Sequence, residues 1–155
     1  MRANAVICLG AGAGLIGGAL RFVRGTNVVC RSGGVLVVVR AKTSRVVPVR
    51  GEFHERLLRS AAFFKDGYLV SGRNPESHNV TNPLLRSLSG GADLPRLETC
   101  RLRSTYLVAM AEVVGLKAFM EAAGITCSQR LGDLVKGREA PSEQEAVALL
   151  GGRRP

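Results

Sequence analysis

Two runs rich in β-branched residues, 27–31 and 35–40, are separated only by Ser32, Gly33 and Gly34. Three residues cannot carry a crossover connection, so strands joined this way must pair antiparallel. A second turn at 41–44 leads into a third such run, 45–50. Residues 27–50 therefore read as a three-stranded antiparallel meander. Architectures that need strand, helix and parallel strand in succession are hard to reconcile with it.

The rest of the chain is read mostly as helices. The apolar run 3–9 fits a helix or a buried strand, because periodicity cannot decide over so few residues. Residues 18–23 suit a short helix. Phe53, Leu57, Leu58, Ala61 and Phe64 fall at helical spacing, closed by Asp66 and Gly67. A short apolar piece (68–70) and a polar loop (71–78) follow. Asn82 as N-cap and Pro83 as first helical residue open another helix, closed by Gly90 and Gly91. Residues 102–114 predict a long helix stopped at Gly115, and 116–123 a further one stopped at Gly124. Ser142 and Glu145 form a capping box for a last short helix ending at Leu150. The expected class is α+β, with helices packed around a small three-stranded antiparallel sheet. Residues 1–136 are expected to form one domain, and 137–155 a linker with a short C-terminal helix. A length of 155 residues suits one core, and a hydrophobic fraction of 46% argues against disorder.

Gly12, Gly14 and Gly17 match the G-x-G-x-x-G pattern of dinucleotide sites, where glycines let a pyrophosphate approach a helix N-terminus. No acid precedes Glu52, so the ribose-binding carboxylate is missing, although Arg31 could meet the 2′-phosphate of NADP. The meander counts more heavily against this reading, and no cofactor is expected. Cys8, Cys30, Cys100 and Cys127 are widely spaced, with only His54 and His78 to accompany them. They predict neither a metal site nor a disulfide framework, but free, buried thiols in a reducing compartment. The apolar stretch 5–20 is interrupted by Gly10, Gly12, Gly14, Gly17 and Gly18, which makes a poor membrane span. No signal peptide is apparent, so a cytoplasmic location without membrane contact is expected.

Charge is uneven. The chain holds 22 basic and 12 acidic residues, net +10. Arg2, Arg21, Arg24, Arg31, Arg40, Lys42, Arg45 and Arg50 all lie within residues 1–51, where there is no acid. A polyanionic partner for this third of the chain follows naturally, with a merely solvated basic face as the plain alternative.

Several local patterns, in order, resemble the catalytic domain of the tyrosine recombinases, the phage-integrase family. Gly14-Leu-Ile-Gly-Gly-Ala-Leu20 occupies the place of that family's Gly-Leu-Arg-x-Ser-Glu-Leu turn. Arg45-Val-Val-Pro-Val49 looks like its Arg-x-Val-Pro-Leu strand. Cys100-Arg-Leu-Arg-Ser-Thr105 begins a helix where the family has His-x-Leu-Arg-His-Thr, and residues 114–124 follow at nearly the family's spacing. The resemblance covers about residues 3–136 and implies a DNA-binding domain of a recombination or integration system, carried on a mobile element.

The departures from the family pattern bear on activity. Ile16 stands where the first catalytic arginine belongs, Ala19 replaces its neighbouring acid, and Cys100 and Ile125 replace the two histidine-type positions. The nucleophilic tyrosine should lie near Leu134, but no tyrosine follows Tyr106. Of the catalytic set, Arg103 matches the second arginine, and Lys42 (less well Arg40) lies in the hairpin where the family's lysine belongs. Transfer of a phosphoryl group to tyrosine needs the nucleophile and the charge-stabilising arginine pair. Cys100 and Cys127 are conceivable substitutes, but no neighbour in the sequence activates either thiol. The resemblance thus implies a pseudoenzyme that binds double-stranded DNA through Arg40, Lys42, Arg45, Arg101 and Arg103 without cutting it. It would act beside an active recombinase, or pair with itself through the C-terminal helix. A buried structural role is also open to Arg103. A protein-interaction module or a remnant on the same fold is the alternative, and an NADP-binding domain built on Gly12, Gly14 and Gly17 a further one.

Overall fold

The computed structural model describes residues 1–31, 33–40, 44–77, 79–88, 95–113 and 116–125. The chain opens with α1 (Arg2–Ala11), then α2 (Gly17–Arg21), a 3-10 turn (Gly25–Asn27) and strands β1 (Val28–Arg31), β2 (Gly34–Val39) and β3 (Arg45–Pro48). A second 3-10 turn (Gly51–Phe53) leads into α3 (His54–Phe64), α4 (Thr81–Arg86), α5 (Thr99–Val113) and α6 (Leu116–Ala123). The proposed C-terminal helix, the linker before it, Lys42 and Cys127 lie outside the described residues. No helix among the described residues is long and apolar enough to cross a membrane.

The ambiguous N-terminal run is a helix, and the reason it looked ambiguous is visible in its packing. Ala5, Val6, Cys8, Leu9, Gly10 and Ala11 are all buried, so α1 has almost no polar face to generate a helical period. It packs against α3, α4 and α5 and forms the centre of the core. Gly10 is required by this arrangement: a Cβ there would come within 2.8 Å of the Leu102 Cβ on α5.

The sheet has the order β1-β2-β3 with both pairings antiparallel. Val37 sits between Val28 and Val47 across the strands. Val35, Val37, Val39, Val47 and Val49 bury one face against the helices, the alternation that a half-covered sheet demands. Val29, Leu36, Val38 and Val46 occupy the other face, by the strict two-residue side-chain period. With α1 helical and β1 and β2 antiparallel, there is no strand–helix–parallel-strand unit among the described residues, and the dinucleotide reading of Gly12, Gly14 and Gly17 falls. Gly12 and Gly14 instead let the end of α1 approach Phe53 and Tyr106 closely, while Gly17 opens α2 with a φ of +54°.

Two local expectations are also corrected. Asn82 is not the N-cap of α4, which begins at Thr81 after Val80 and has no side-chain cap; burial of Leu85 and packing on α1 hold this short helix instead. The cysteines are not uniformly buried. Cys8 is enclosed in α1, but Cys30 lies where β1 leaves the core, and Cys100 lies on the outer side of the first turn of α5, both exposed.

Candidate nucleic-acid interface

Helix α5 carries two faces. Leu102, Tyr106 and Leu107 are buried, placing one stripe of the helix in the core, while Cys100, Arg101, Ser104, Thr105 and Val108 are exposed. The exposed stripe and Arg50 line a cleft of about 730 Å³. Ser104 Oγ donates to Cys100 O (3.0 Å) and Thr105 Oγ1 to Arg101 O (3.1 Å), so both hydroxyls keep their oxygens available as acceptors. Cys100 Sγ donates to Glu98 Oε2 at 3.3 Å. Arg50 is held at the rim by an ion pair with Glu52 (2.6 Å) and lies over the Phe53 ring, 5.7 Å from its centroid. Its partner is thus a carboxylate, whereas among the described residues no carboxylate is paired with Arg101.

Arg103, two positions further on, turns the opposite way. Its Nη1 donates to Gly14 O and its Nη2 to Ala123 O at 2.8 Å. One guanidinium therefore ties α5 to the glycine turn after α1 and to the end of α6, using the fork geometry that lysine lacks. Arg45 is a neighbour of this group. Its guanidinium lies across Gly124, where an added Cβ would come within 2.9 Å of it, and its Nε is enclosed without a hydrogen-bond partner among the described residues.

Tyr106 joins these two arginines. Its side chain is fully buried and its hydroxyl donates to Pro48 O at 3.3 Å. Burial pushes the phenol up to about 12, while the charges of Arg103 and Arg45 pull in the other direction. Desolvation wins, and the phenol stays protonated and enclosed. The chain's other tyrosine, Tyr68, receives a hydrogen bond from Arg24 Nη2 (2.8 Å) under a guanidinium 4.4 Å from its ring centroid.

Of the five basic residues singled out from the sequence, Lys42 lies outside the described residues and the other four are distributed over several places. Arg101 faces the α5 cleft, Arg45 and Arg103 converge near Tyr106, and Arg40 is exposed at the end of β2 in a separate pocket. Arg50 and Arg24 line the two pockets but were not singled out. The only available signal for them was the acid-free run of basic residues 1–51. Of the positions that the sequence resemblance aligns with recombinase catalytic groups, Ile16 is exposed and Ile125 buried.

No protein-family model matches the chain, and no curated protein matches it by sequence. Solved structures do match by shape. The crystal structure of XerA recombinase superposes with a TM-score of 0.70 and 16% identity, covering 99% of this chain and 57% of that one. A structure of the Tn1549 transposon integrase in complex with circular intermediate DNA gives a TM-score of 0.62 at 16% identity, over 95% of this chain and 56% of the integrase. An R225K form of that integrase, again with circular intermediate DNA, gives 0.59 at 16%, over 96% and 57%. The chain thus spans little more than half the length of each of these proteins. At this level of identity the likeness concerns the fold, and that fold, helices around a three-stranded antiparallel sheet, is the one shared by the tyrosine recombinase catalytic domains.

Proposed function

We propose that this chain binds double-stranded DNA as a recombinase-like domain, does not cleave it by itself, and serves an accessory role beside an active recombinase or integrase. The observation that carries the binding half is the near-complete coverage of this chain by a fold that, in the Tn1549 integrase, is complexed with DNA. The exposed Arg101 at the start of α5, with Arg50 across the cleft, supplies cations where phosphates would approach a helix start. The lack of cleavage rests on side-chain chemistry. Ile16 and Ile125 supply neither charge stabilisation nor proton transfer, and Cys100, whose thiol donates to Glu98, supplies no positive charge for phosphoryl transfer. Tyr106 is enclosed against Pro48 O, so its phenol is not presented as a nucleophile, and Tyr68 lies in a separate pocket that shares no residue with the α5 cleft.

The test pairs a binding assay with a trapping assay. The full chain should shift a labelled duplex of about 30 base pairs at low salt, and Arg50→Ala with Arg101→Ala should weaken that binding. A nicked duplex that traps covalent protein–DNA intermediates should give no adduct. Absence of binding at low salt removes the DNA reading, and a covalent adduct removes the accessory one. Association with a neighbour through residues 142–150 belongs to the same proposal; deleting 139–155 should then abolish concentration-dependent self-association.

One observation favours a second reading, a protein-interaction module on the same fold. Val46 is 51% exposed on the outer sheet face and pairs with Val38. Apolar side chains facing outward suit a protein partner better than a phosphate backbone. Duplex binding that Arg101→Ala leaves unchanged would move the balance to this reading.

A further inference from the structure

A second basic pocket lies apart from the α5 cleft and shares no lining residue with it. It measures about 310 Å³ and is walled by Phe22, Arg24, Thr26, Asn27, Arg40 and Tyr68. Its floor is the 3-10 turn Gly25–Asn27, which is clamped onto the end of α3. Gly25 N–H donates to Gly67 O (3.2 Å) and Thr26 N–H to Lys65 O (3.1 Å). A side chain at Gly25 would collide with the Ala61 and Lys65 carbonyls, so the turn sits directly on that helix end. The pocket is therefore preformed on rigid backbone.

Its polar lining consists of donors. Arg24 is oriented by neutral groups only: Nη1 donates to Asp66 O (3.2 Å), Nη2 to Tyr68 Oη (2.8 Å), and the Tyr68 ring lies beneath the guanidinium. None of these contacts offsets its charge. Asn27 Oδ1 accepts the Arg24 backbone N–H at 2.8 Å, which fixes the amide so that both Nδ2 hydrogens remain for another acceptor. Arg40 is exposed at the end of β2, and Thr26 adds a hydroxyl. Among the described residues no carboxylate lines the pocket. Two guanidinium charges, an amide and a hydroxyl around one small cavity constitute a receptor for an oxyanion. The volume is at the lower end of ligand pockets, roughly 300–1,000 Å³, which suits a single phosphate group better than a large ligand. Phe22 and Tyr68, set edge to face with centroids 6.4 Å apart, close the apolar side.

We propose that this pocket is a phosphate subsite that holds one backbone phosphodiester of the bound nucleic acid through Arg24, Arg40, Asn27 Nδ2 and the Thr26 hydroxyl. The assignment rests on the DNA reading for the source of the phosphate, and on the pocket alone for the chemistry.

The test uses the full chain labelled with nitrogen-15, titrated separately with inorganic phosphate and with a duplex of about 30 base pairs. The Asn27 side-chain amide and the Thr26 backbone amide should move in both titrations and stay still with chloride. Arg40→Ala should abolish the movement and lower the log–log salt slope of duplex binding by about 0.9, one phosphate contact. Asn27→Asp keeps the acceptor for the Arg24 N–H and places a carboxylate in the pocket, so it should abolish phosphate binding with the fold retained. Movement with phosphate but not with duplex keeps the oxyanion site and overturns its assignment to DNA. Duplex binding by anisotropy with Asn27 unmoved in both titrations, and an unchanged slope in Arg40→Ala, overturns the subsite and leaves the DNA reading standing.

Discussion

The ring of Tyr106 rests against Gly14: a Cβ at that glycine would lie well inside contact distance of the ring Cδ1, and its φ of +64° is one that other residues rarely adopt. Contact and backbone conformation both call for glycine. Gly14→Ala should therefore cost roughly 2–4 kcal/mol, summing left-handed strain with overpacking. Tyr106→Phe, which removes only the hydroxyl bonded to Pro48 O, should cost about 1 kcal/mol. Urea denaturation of the two variants checks the order; a Gly14→Ala protein as stable as wild type would contradict this packing.

Arg101 and Arg103 are separated by one residue and perform different tasks. Arg103 donates to two main-chain carbonyls from different parts of the chain. Arg103→Ala should lower stability by about 2–4 kcal/mol, the range for charge-assisted bonds with part-buried partners. Arg103→Lys should recover little of that, since one ammonium cannot reproduce the fork. Arg101→Ala should change stability by no more than about 0.5 kcal/mol while weakening duplex binding. Urea midpoints measured beside duplex titrations separate the two; equal stability losses would contradict the assignment.

The sheet was legible because strands joined by Ser32, Gly33 and Gly34 admit one pairing geometry. Gly124 was legible as a helix stop, and it follows α6 at a φ of +66°. Helix α1 was not, because burial on nearly every side erases the period that marks a helix. The inward turn of Arg103 was not decidable either: its partners are carbonyls 89 and 20 positions away, and nothing in a side-chain pattern encodes a main-chain acceptor. Arg24 and Arg50 went unnoticed as pocket residues for a related reason. Their surroundings are made by the Gly25–Asn27 turn on α3 and by the approach of α5, contacts that form only with the tertiary fold.

Alkaline pH should destabilise the domain through two buried acids. Burial raises Tyr106 from 10.0 to about 12 and Cys8 from 9.0 to about 11. The unfolded chain gives up these protons first, so the stability they contribute is complete below pH 9 and is lost as pH rises through the folded values. A shift of two units on one group corresponds to roughly 3 kcal/mol. Tyrosinate absorbance, compared between wild type and Tyr106→Phe, should show the Tyr106 signal appearing only near pH 12 or with loss of helical circular dichroism. Ionisation of Tyr106 near pH 10 in a folded protein would contradict its burial.

The most direct test of the central claim is the salt dependence of duplex binding by the full chain, followed by fluorescence anisotropy. Arg24 and Arg40 sharing one phosphate, with Arg50 and Arg101 in the α5 cleft, predict about three phosphate contacts and a log–log slope of roughly −2 to −4. A slope in that range, reduced by about one in Arg101→Ala and accompanied by no strand cleavage, is the predicted result. A slope near zero, or no binding at low salt, would contradict a DNA-binding role for this domain.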